Sequence, residues 1–446
     1  MGQLSKGKQL NVSLKLLLGF YKEGKFLKAL KGVDKLIDAY PDLPELFNLK
    51  GRILLSLNKF EDSLIFYLKC LDQKEMRLDA LLNLGVIYKK LSDFDKAIKS
   101  YTEALKIDPN NVGALNNLGN LFNQKGDYNN AIQKLNEAIE TRPEHIGAYN
   151  NLALAHKNNG DIKKAIKIYK KALQIRPDNS IVLKNLGIAF LDNGQPVKAI
   201  PILRLATELK PQDVSILTKL ASAFVKTKSL RDALDTLNKA KKLKPDNPDI
   251  YNDIANIYNN KKKFELSILY YEKALKLDAK NDNFLTNIGV AFSENGEYQK
   301  AIINYKRAIE INPFNSNALK NLGIVLTRTG FFKEAIDCFK KALALKNDSS
   351  EAFFGLGRAY LDLGEYSKSI KSYNKVLELK PKHYSALHSL TWPMILKKYF
   401  RKGWEMYEYR WCVKPGNEQK RPIKDRELWK GERDKKIVLW REQGIG

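Results

Sequence analysis

Apolar residues fall three and four positions apart along nearly the whole chain, in blocks that restart every 34 residues. Residues 111–144, NVGALNNLGNLFNQKGDYNNAIQKLNEAIETRPE, show one block. Leu115, Leu118, Gly119 and Phe122 share one face of a first helix, and Ala131, Leu135 and Ala138 share one face of a second. Gly126 and Asp127 mark the turn between them, and Pro143 stops the second helix and opens the link to the next block. Glycine or alanine keeps the same register at Gly51, Gly85, Gly119, Ala153, Gly187, Ala221, Ala255, Gly289, Gly323 and Gly357, with no insertion or deletion. Such a period predicts stacked helical hairpins, each leaning chiefly on its neighbours, and argues against a compact globular enzyme. Helices this short are marginal alone, so stacking has to supply the missing burial.

The small residues have a mechanical purpose. Gly119 and Ala131 would let two helices approach closely, while Tyr101, Tyr169, Tyr271, Tyr305 and Tyr373 would fill the space between hairpins. Eleven units can be placed over residues 9–382, starting near positions 9, 43, 77, 111, 145, 179, 213, 247, 281, 315 and 349. The first diverges but keeps Gly24, Phe26 and Ala29. Residues 383–415 read as an atypical capping hairpin, with Gly403 in place of alanine and Tyr407 at the aromatic position. There Trp404, Tyr407 and Trp411 are spaced as one packed helical face.

Composition changes this picture little. The net charge is +27, with lysines spread through every block and no motif that reads RNA or DNA, so a solvated polar face accounts for it and no specific nucleic-acid partner is expected. Cys70, Cys338 and Cys412 make no disulfide framework, and Cys70 sits at a small-residue position that suggests core. His145, His156, His383 and His388 have no metal-ligand spacing and read as solvated or packing residues; no metal and no cofactor is expected in this chain. No signal-peptide pattern and no membrane-spanning run are found, which leaves the cytoplasm as the default.

The pattern resembles the tetratricopeptide repeat family. That resemblance implies an all-α right-handed superhelical solenoid of stacked antiparallel helical hairpins with a short C-terminal stub, its concave surface made chiefly from first helices. One polar position repeats as well: two residues before the glycine or alanine stand Asn83, Asn117, Asn151, Asn185, Asn287 and Asn321. An amide both donates and accepts, so it can pair with peptide backbone whatever the side chains; repeat consensus with solvent exposure is the plainer reading. These asparagines match the ladder that arrays similar to the O-linked N-acetylglucosamine transferase type use to hold extended polypeptide. Leu49, Lys219, Asp253, Gly355 and Ser389 interrupt it, which favours the section from Asn83 to Asn185. No three-repeat basic set suggests a carboxylate clamp.

Composition shifts again after Trp392. Residues 416–446 read as a linker with Gly416 and Pro422, then a short strand, Lys436 to Trp440, and a loop through Gly444 and Gly446, the opening of a missing domain. A lone strand cannot bury itself, so it either docks on another chain or is continued by further sequence. The run Gly403-Trp404, Tyr409-Arg410-Trp411, Leu428-Trp429, Gly431-Glu432 and Glu442-Gln443-Gly444-Ile445-Gly446 looks like the junction of bacterial tetratricopeptide proteins that carry a glycosyltransferase-like domain. That resemblance implies a nucleotide-sugar donor for the missing domain and a transferase acting on protein acceptors. This chain itself holds no catalytic constellation, since Glu442 is the only acidic residue near the loop. The expectation is a non-catalytic scaffold that binds protein or extended peptide, with its oligomeric state left open.

Overall fold

The computed structural model describes residues 2–413, with side chains from Leu10 onward except that of Trp411. The linker, strand and glycine loop expected over 416–446 lie outside the described residues. Among these, all regular structure is helical. Contacts divide the chain into two compact units, one ending at Thr236 and the other beginning at Leu237.

The first unit runs through α1 (Gly2–Lys22), α2 (Phe26–Ala39), α3 (Pro44–Ser56), α4 (Phe60–Lys69), α5 (Arg77–Lys90) and α6 (Phe94–Ile107). It continues with α7 (Val112–Gln124), α8 (Tyr128–Thr141), α9 (Ile146–Asn158), α10 (Ile162–Ile175), α11 (Ser180–Asp192), α12 (Pro196–Leu209) and α13 (Val214–Lys226). After α14 (Leu230–Leu243), the second unit holds α15 (Pro248–Asn260), α16 (Phe264–Leu277), α17 (Asp282–Glu294), α18 (Tyr298–Ile311), α19 (Ser316–Arg328), α20 (Phe332–Leu345), α21 (Ser350–Asp362) and α22 (Tyr366–Leu379). It closes with α23 (Tyr384–Ser389), α24 (Thr391–Leu396), α25 (Phe400–Tyr407) and a 3-10 turn, Glu408–Cys412.

From α1 to α12 and from α15 to α22, each odd-numbered helix pairs with the next even-numbered one as a hairpin, and each hairpin packs on the next within its unit. Successive first helices also touch, as α7 does α9 and α19 does α21. The turn inside each hairpin needs one left-handed residue; Gly126 takes it at φ 81°, and Lys262 is forced into it at φ 56°.

Packing follows the small-residue logic. A Cβ added at Gly119 would lie 2.5 Å from Leu135 Cγ, and one at Gly85 would lie 2.5 Å from the Tyr101 ring. Tyr67, Tyr101, Tyr169, Tyr271, Tyr305 and Tyr373 are all fully buried. Where serine replaces the alanine of the second helix, its hydroxyl donates to the carbonyl that the close approach brings near: Ser63 to Gly51 at 2.8 Å, Ser267 to Ala255 at 2.9 Å, Ser369 to Gly357 at 2.7 Å. Cys70 is buried as expected, and burial pushes its thiol up to about 11.

First helices are capped with regularity. Asn111, Asn179, Asp213, Asn281, Asn315 and Ser349 each accept a backbone N–H at the start of the following helix. His145 and His383 hold the same position and cap through Nδ1, to Ala148 N at 3.0 Å and Ala386 N at 3.1 Å. Their role is therefore local and backbone-directed.

The final hairpin departs from the pattern. Its first helix breaks between Ser389 and Thr391 because Pro393 has no N–H for the carbonyl four residues earlier. Gly403 does take the alanine position, with Ile395 Cγ1 2.6 Å from where a Cβ would stand. Of the packed face expected for Trp404, Tyr407 and Trp411, the first two rings meet edge to face with centroids 5.6 Å apart. Trp404 is 49% exposed, the α-helix stops at Tyr407, and the side chain of Trp411 lies outside the described residues.

Candidate functional site: an amide surface on the first helices

All six ladder asparagines lie on first helices and are half-buried rather than fully solvated. Three of them reach across to the preceding first helix. Asn151 Nδ2 donates to Asn116 Oδ1 at 2.9 Å, Asn185 Nδ2 to Asn150 Oδ1 at 2.8 Å, and Asn287 Nδ2 to Asn252 Oδ1 at 2.9 Å. Asn150 Nδ2 in turn lies 3.4 Å from Asn151 Oδ1. The result in the first unit is a continuous amide chain, Asn185 to Asn150 to Asn151 to Asn116, over α11, α9 and α7.

The same step from one first helix to the next recurs beside it. Asn158 Nδ2 donates to Asn123 Oδ1 at 3.1 Å, and Lys157 pairs with Asp192 at 3.1 Å. Lys226 Nζ donates to the Leu191 carbonyl at 3.2 Å. Each bridging NH2 makes one side-chain bond within the amide chain and carries a second hydrogen. Asn83 turns back on its own helix, donating to the Asp79 carbonyl at 2.8 Å, and Asn321 has no hydrogen-bond partner among the described residues.

Sequence reasoning missed Asn116, Asn150 and Asn252, each one place before a ladder position. The signal was available: Asn116-Asn117 and Asn150-Asn151 are adjacent amide pairs in consecutive blocks. What the pattern could not supply was the offset that lets one block's ladder amide meet its neighbour's preceding residue.

The structure also gives a physical reason for the ladder's composition. Ladder positions 117, 355 and 389 border the tip of the side chain sixteen positions earlier, on the second helix of the preceding hairpin. A Cβ at Gly355 would fall 2.3 Å from Phe339 Cζ. Asn117 faces the Tyr101 hydroxyl and Ser389 the Tyr373 hydroxyl, in each case working against the upward push of burial on the phenol. Both hydroxyls are buried without a close partner, as is that of Tyr67. Every tyrosine at this second-helix position is followed by a small polar ladder residue: Tyr67 by Asn83, Tyr169 by Asn185, Tyr271 by Asn287 and Tyr305 by Asn321. Where the side chain is Phe339 the ladder has Gly355, and behind Leu203 and Leu237 stand Lys219 and Asp253. Only Asn151, sixteen positions after Leu135, breaks that correspondence.

No group of histidine, cysteine and acidic side chains with a metal-holding arrangement occurs among the described residues. The cavities there are shallow and polar. One of about 220 Å³ is lined by Ser316, Lys320, Lys346, Glu351 and Lys380, and Lys380 pairs with Glu351 at 3.6 Å. No described helix is long and apolar enough to cross a membrane.

Comparison with known proteins places the chain by its repeats. Residues 43–255 and 147–351 match the profile described as the Cilia and flagella-associated protein 70 C-terminal domain, and residues 350–383 match that of the Tetratricopeptide repeat. No curated protein matches the chain significantly. Among solved structures, it is similar to yeast Tom70 (15% identity, 86% of this chain and 94% of that one, TM-score 0.46). It is also similar to the APC/C hetero-tetramer Cut9-Hcn1 (16% identity, 91% and 87%, TM-score 0.47). A third likeness is to YrrB, described as a TPR protein with an unusual peptide-binding site (23% identity, 42% and 96%, TM-score 0.35). With profile matches spanning most of its length and hairpins stacked in register, the chain belongs to the tetratricopeptide repeat family.

Proposed function

We propose that this protein is a binding scaffold that holds an extended polypeptide across the first helices of its first unit, on α7, α9 and α11. The observation that carries the reading is the amide chain from Asn185 to Asn116, which links three consecutive first helices at the spacing of the repeat. Amides recognise backbone rather than a particular side chain, so the ligand class is extended peptide of broad sequence. The repeated caps and buried rings fix that surface in advance, which reduces the ordering cost of binding.

The test is a peptide selected from a displayed random library against the full chain, mapped by hydrogen exchange. Added protection should fall on α7, α9 and α11. Protection confined to second helices, or to the second unit, would contradict the reading.

A narrower reading joins this scaffold to a transferase. It rests on the sequence of residues 403–446, where the aromatic run and the Glu442-Gln443-Gly444-Ile445-Gly446 loop resemble the junction before a glycosyltransferase-like domain. In that reading the amide surface presents protein acceptor, a nucleotide sugar is the donor, and the chemistry belongs to sequence beyond this chain. Detection of sugar transfer to the selected peptide by a longer product of the same gene, and its loss when the peptide surface is altered, would be the supporting result. A peptide that binds and is never modified would leave the scaffold alone. A cytoplasmic location and association between copies belong to the same set of expectations, to be read by fractionation and by solution mass.

A further inference from the structure

The outer sides of the second helices differ from repeat to repeat, and one consecutive pair stands apart. In α10 the residues opposite the buried Ala165, Tyr169 and Ala172 are Lys163, Lys167 and Lys171, four positions apart and all exposed. In α12 the same repeat positions hold Val197, Pro201 and Leu205, also all exposed, Val197 at 71% and Leu205 at 41%. Both helices pack on α11, so a wholly basic stripe and a wholly apolar one occupy neighbouring repeats of the first unit. No other second helix from α2 to α22 carries three like charges or three apolar residues at these positions. Helix α10 is also the only one of them without an acidic residue. Lys164 takes the nearby Asp161 at 3.1 Å, whereas Lys163, Lys167 and Lys171 have no ion-pair or hydrogen-bond partner among the described residues. Single exposed apolar side chains need no explanation, but three in a line, next to three unpaired lysines in a line, mark a contact surface.

We propose that the outer face of α10 and α12 docks an amphipathic helix of a partner protein, its acidic side on the three lysines and its apolar side on Val197, Pro201 and Leu205. Charge complementarity selects the acidic side. The shape of the stripes selects a helix: a four-residue spacing makes each about 12 Å long, roughly two turns, over which a helix presents anchors three and four residues apart. The flanks decide against a bilayer. A lipid surface calls for basic residues around an apolar patch. Here the apolar stripe has lysines on one side only, since the next second helix, α14, brings Arg231 and Asp235. Beyond the lysines, α8 brings Asn129, Gln133 and Glu137. Because the surface lies on second helices, the proposal does not depend on the peptide surface of α7, α9 and α11.

The experiment uses the full chain and a labelled synthetic peptide of about five helical turns, with glutamates on one face and leucines on the adjoining face. Fluorescence anisotropy reads affinity and hydrogen exchange reads the site. The peptide should bind the parent and protect α10 and α12. The variant Lys163→Glu, Lys167→Glu, Lys171→Glu should weaken binding by at least about tenfold, because three attractions become repulsions, and Val197→Asp, Leu205→Asp by a similar factor. All five side chains are exposed, so both variants should keep the helicity of the parent. The Asn150→Ala, Asn151→Ala, Asn185→Ala variant should bind this peptide as the parent does, which separates the two surfaces. Equal binding of a scrambled peptide of the same composition would overturn the proposal, and so would protection confined to other helices. Binding of phosphatidylserine vesicles through Lys163, Lys167 and Lys171, with none of the peptide, would overturn it in favour of a lipid surface.

Discussion

Helices α7, α9 and α11 in the first unit and α15, α17, α19 and α21 in the second share one repeat pattern, yet their ladder surfaces differ. In the first, asparagines at and before the ladder position join three helices in one amide chain. In the second, among the described residues, only Asn287 and Asn252 are bridged, Asn321 has no hydrogen-bond partner, and the next position is Gly355. The backbone is not the cause, because the caps and turns are alike. The cause lies behind the surface. At position 355 the Phe339 ring leaves no room for a side chain, since a Cβ there would fall 2.3 Å from Cζ. A surface that looks like a recognition device is thus partly dictated by the core of the preceding hairpin, and only the excess of amides in the first unit exceeds what packing requires.

The strongest way to break this comparison is to force an amide into the gap. Gly355→Asn should destabilise the second unit by about 1–3 kcal/mol through overpacking against Phe339, and Phe339→Leu in the same chain should recover much of the loss. Urea unfolding of the two single variants and the double variant reads the coupling; strictly additive losses would separate ring from ladder. A tyrosine comparison comes next. Tyr271 donates to Asn256 Oδ1 at 2.6 Å, so Tyr271→Phe should cost about 1 kcal/mol. Tyr101 has no close partner, so Tyr101→Phe should be neutral or slightly stabilising by the same assay.

Within the amide chain, Asn150→Ala removes the residue that both donates to Asn151 and accepts from Asn185. Its loss should lower stability by about 0.5–1.5 kcal/mol, more than Asn252→Ala, which removes a single bond. Equal losses would show that the chain does not act as a unit.

The smallest expected effect is pH dependence. Burial, the largest influence on each, holds His145, His156 and His388 below the ordinary imidazole value. The unfolded chain then takes up protons first as pH falls through about 6.5. Their stabilisation is complete above that value and is lost as pH drops towards the folded-state values. Because a protonated Nδ1 cannot accept from Ala148, α9 should open sooner in mild acid than α7, which Asn111 caps. Amide exchange in α9 should quicken by about two- to threefold between pH 7.5 and 5.5 beyond its intrinsic pH dependence, and His145→Asn should suppress part of that change. An α9 that responds no more than α7 would contradict the capping argument.

Most of the helices were legible in the chain because glycine, alanine and aromatic positions repeat without a break, and each marks a contact that only stacking satisfies. Gly119 beside Leu135 is one such contact, and Tyr305 beneath Gly289 another. The ladder positions were legible as well, but not their surroundings. Expecting them to face solvent overlooked that a residue two places before a buried glycine must border the seam, and Asn117 does so over Tyr101. The histidine caps were hidden because imidazole is an uncommon cap; comparing position 145 with Asn111 and Asn179 would have found it. The break in the last first helix followed from Pro393, which the loss of the repeat after Trp392 obscured.

The central claim is that the amide chain of the first unit holds peptide backbone. Its most direct test is calorimetric titration of the library-selected peptide into three full-length proteins: the parent, the Asn150→Ala, Asn151→Ala, Asn185→Ala variant, and the Asn287→Ala, Asn321→Ala variant. Affinity should fall by about tenfold or more in the first variant, as expected for two or more hydrogen bonds, and by less than about twofold in the second. Unchanged affinity in the first variant, with its helicity intact, would contradict that claim.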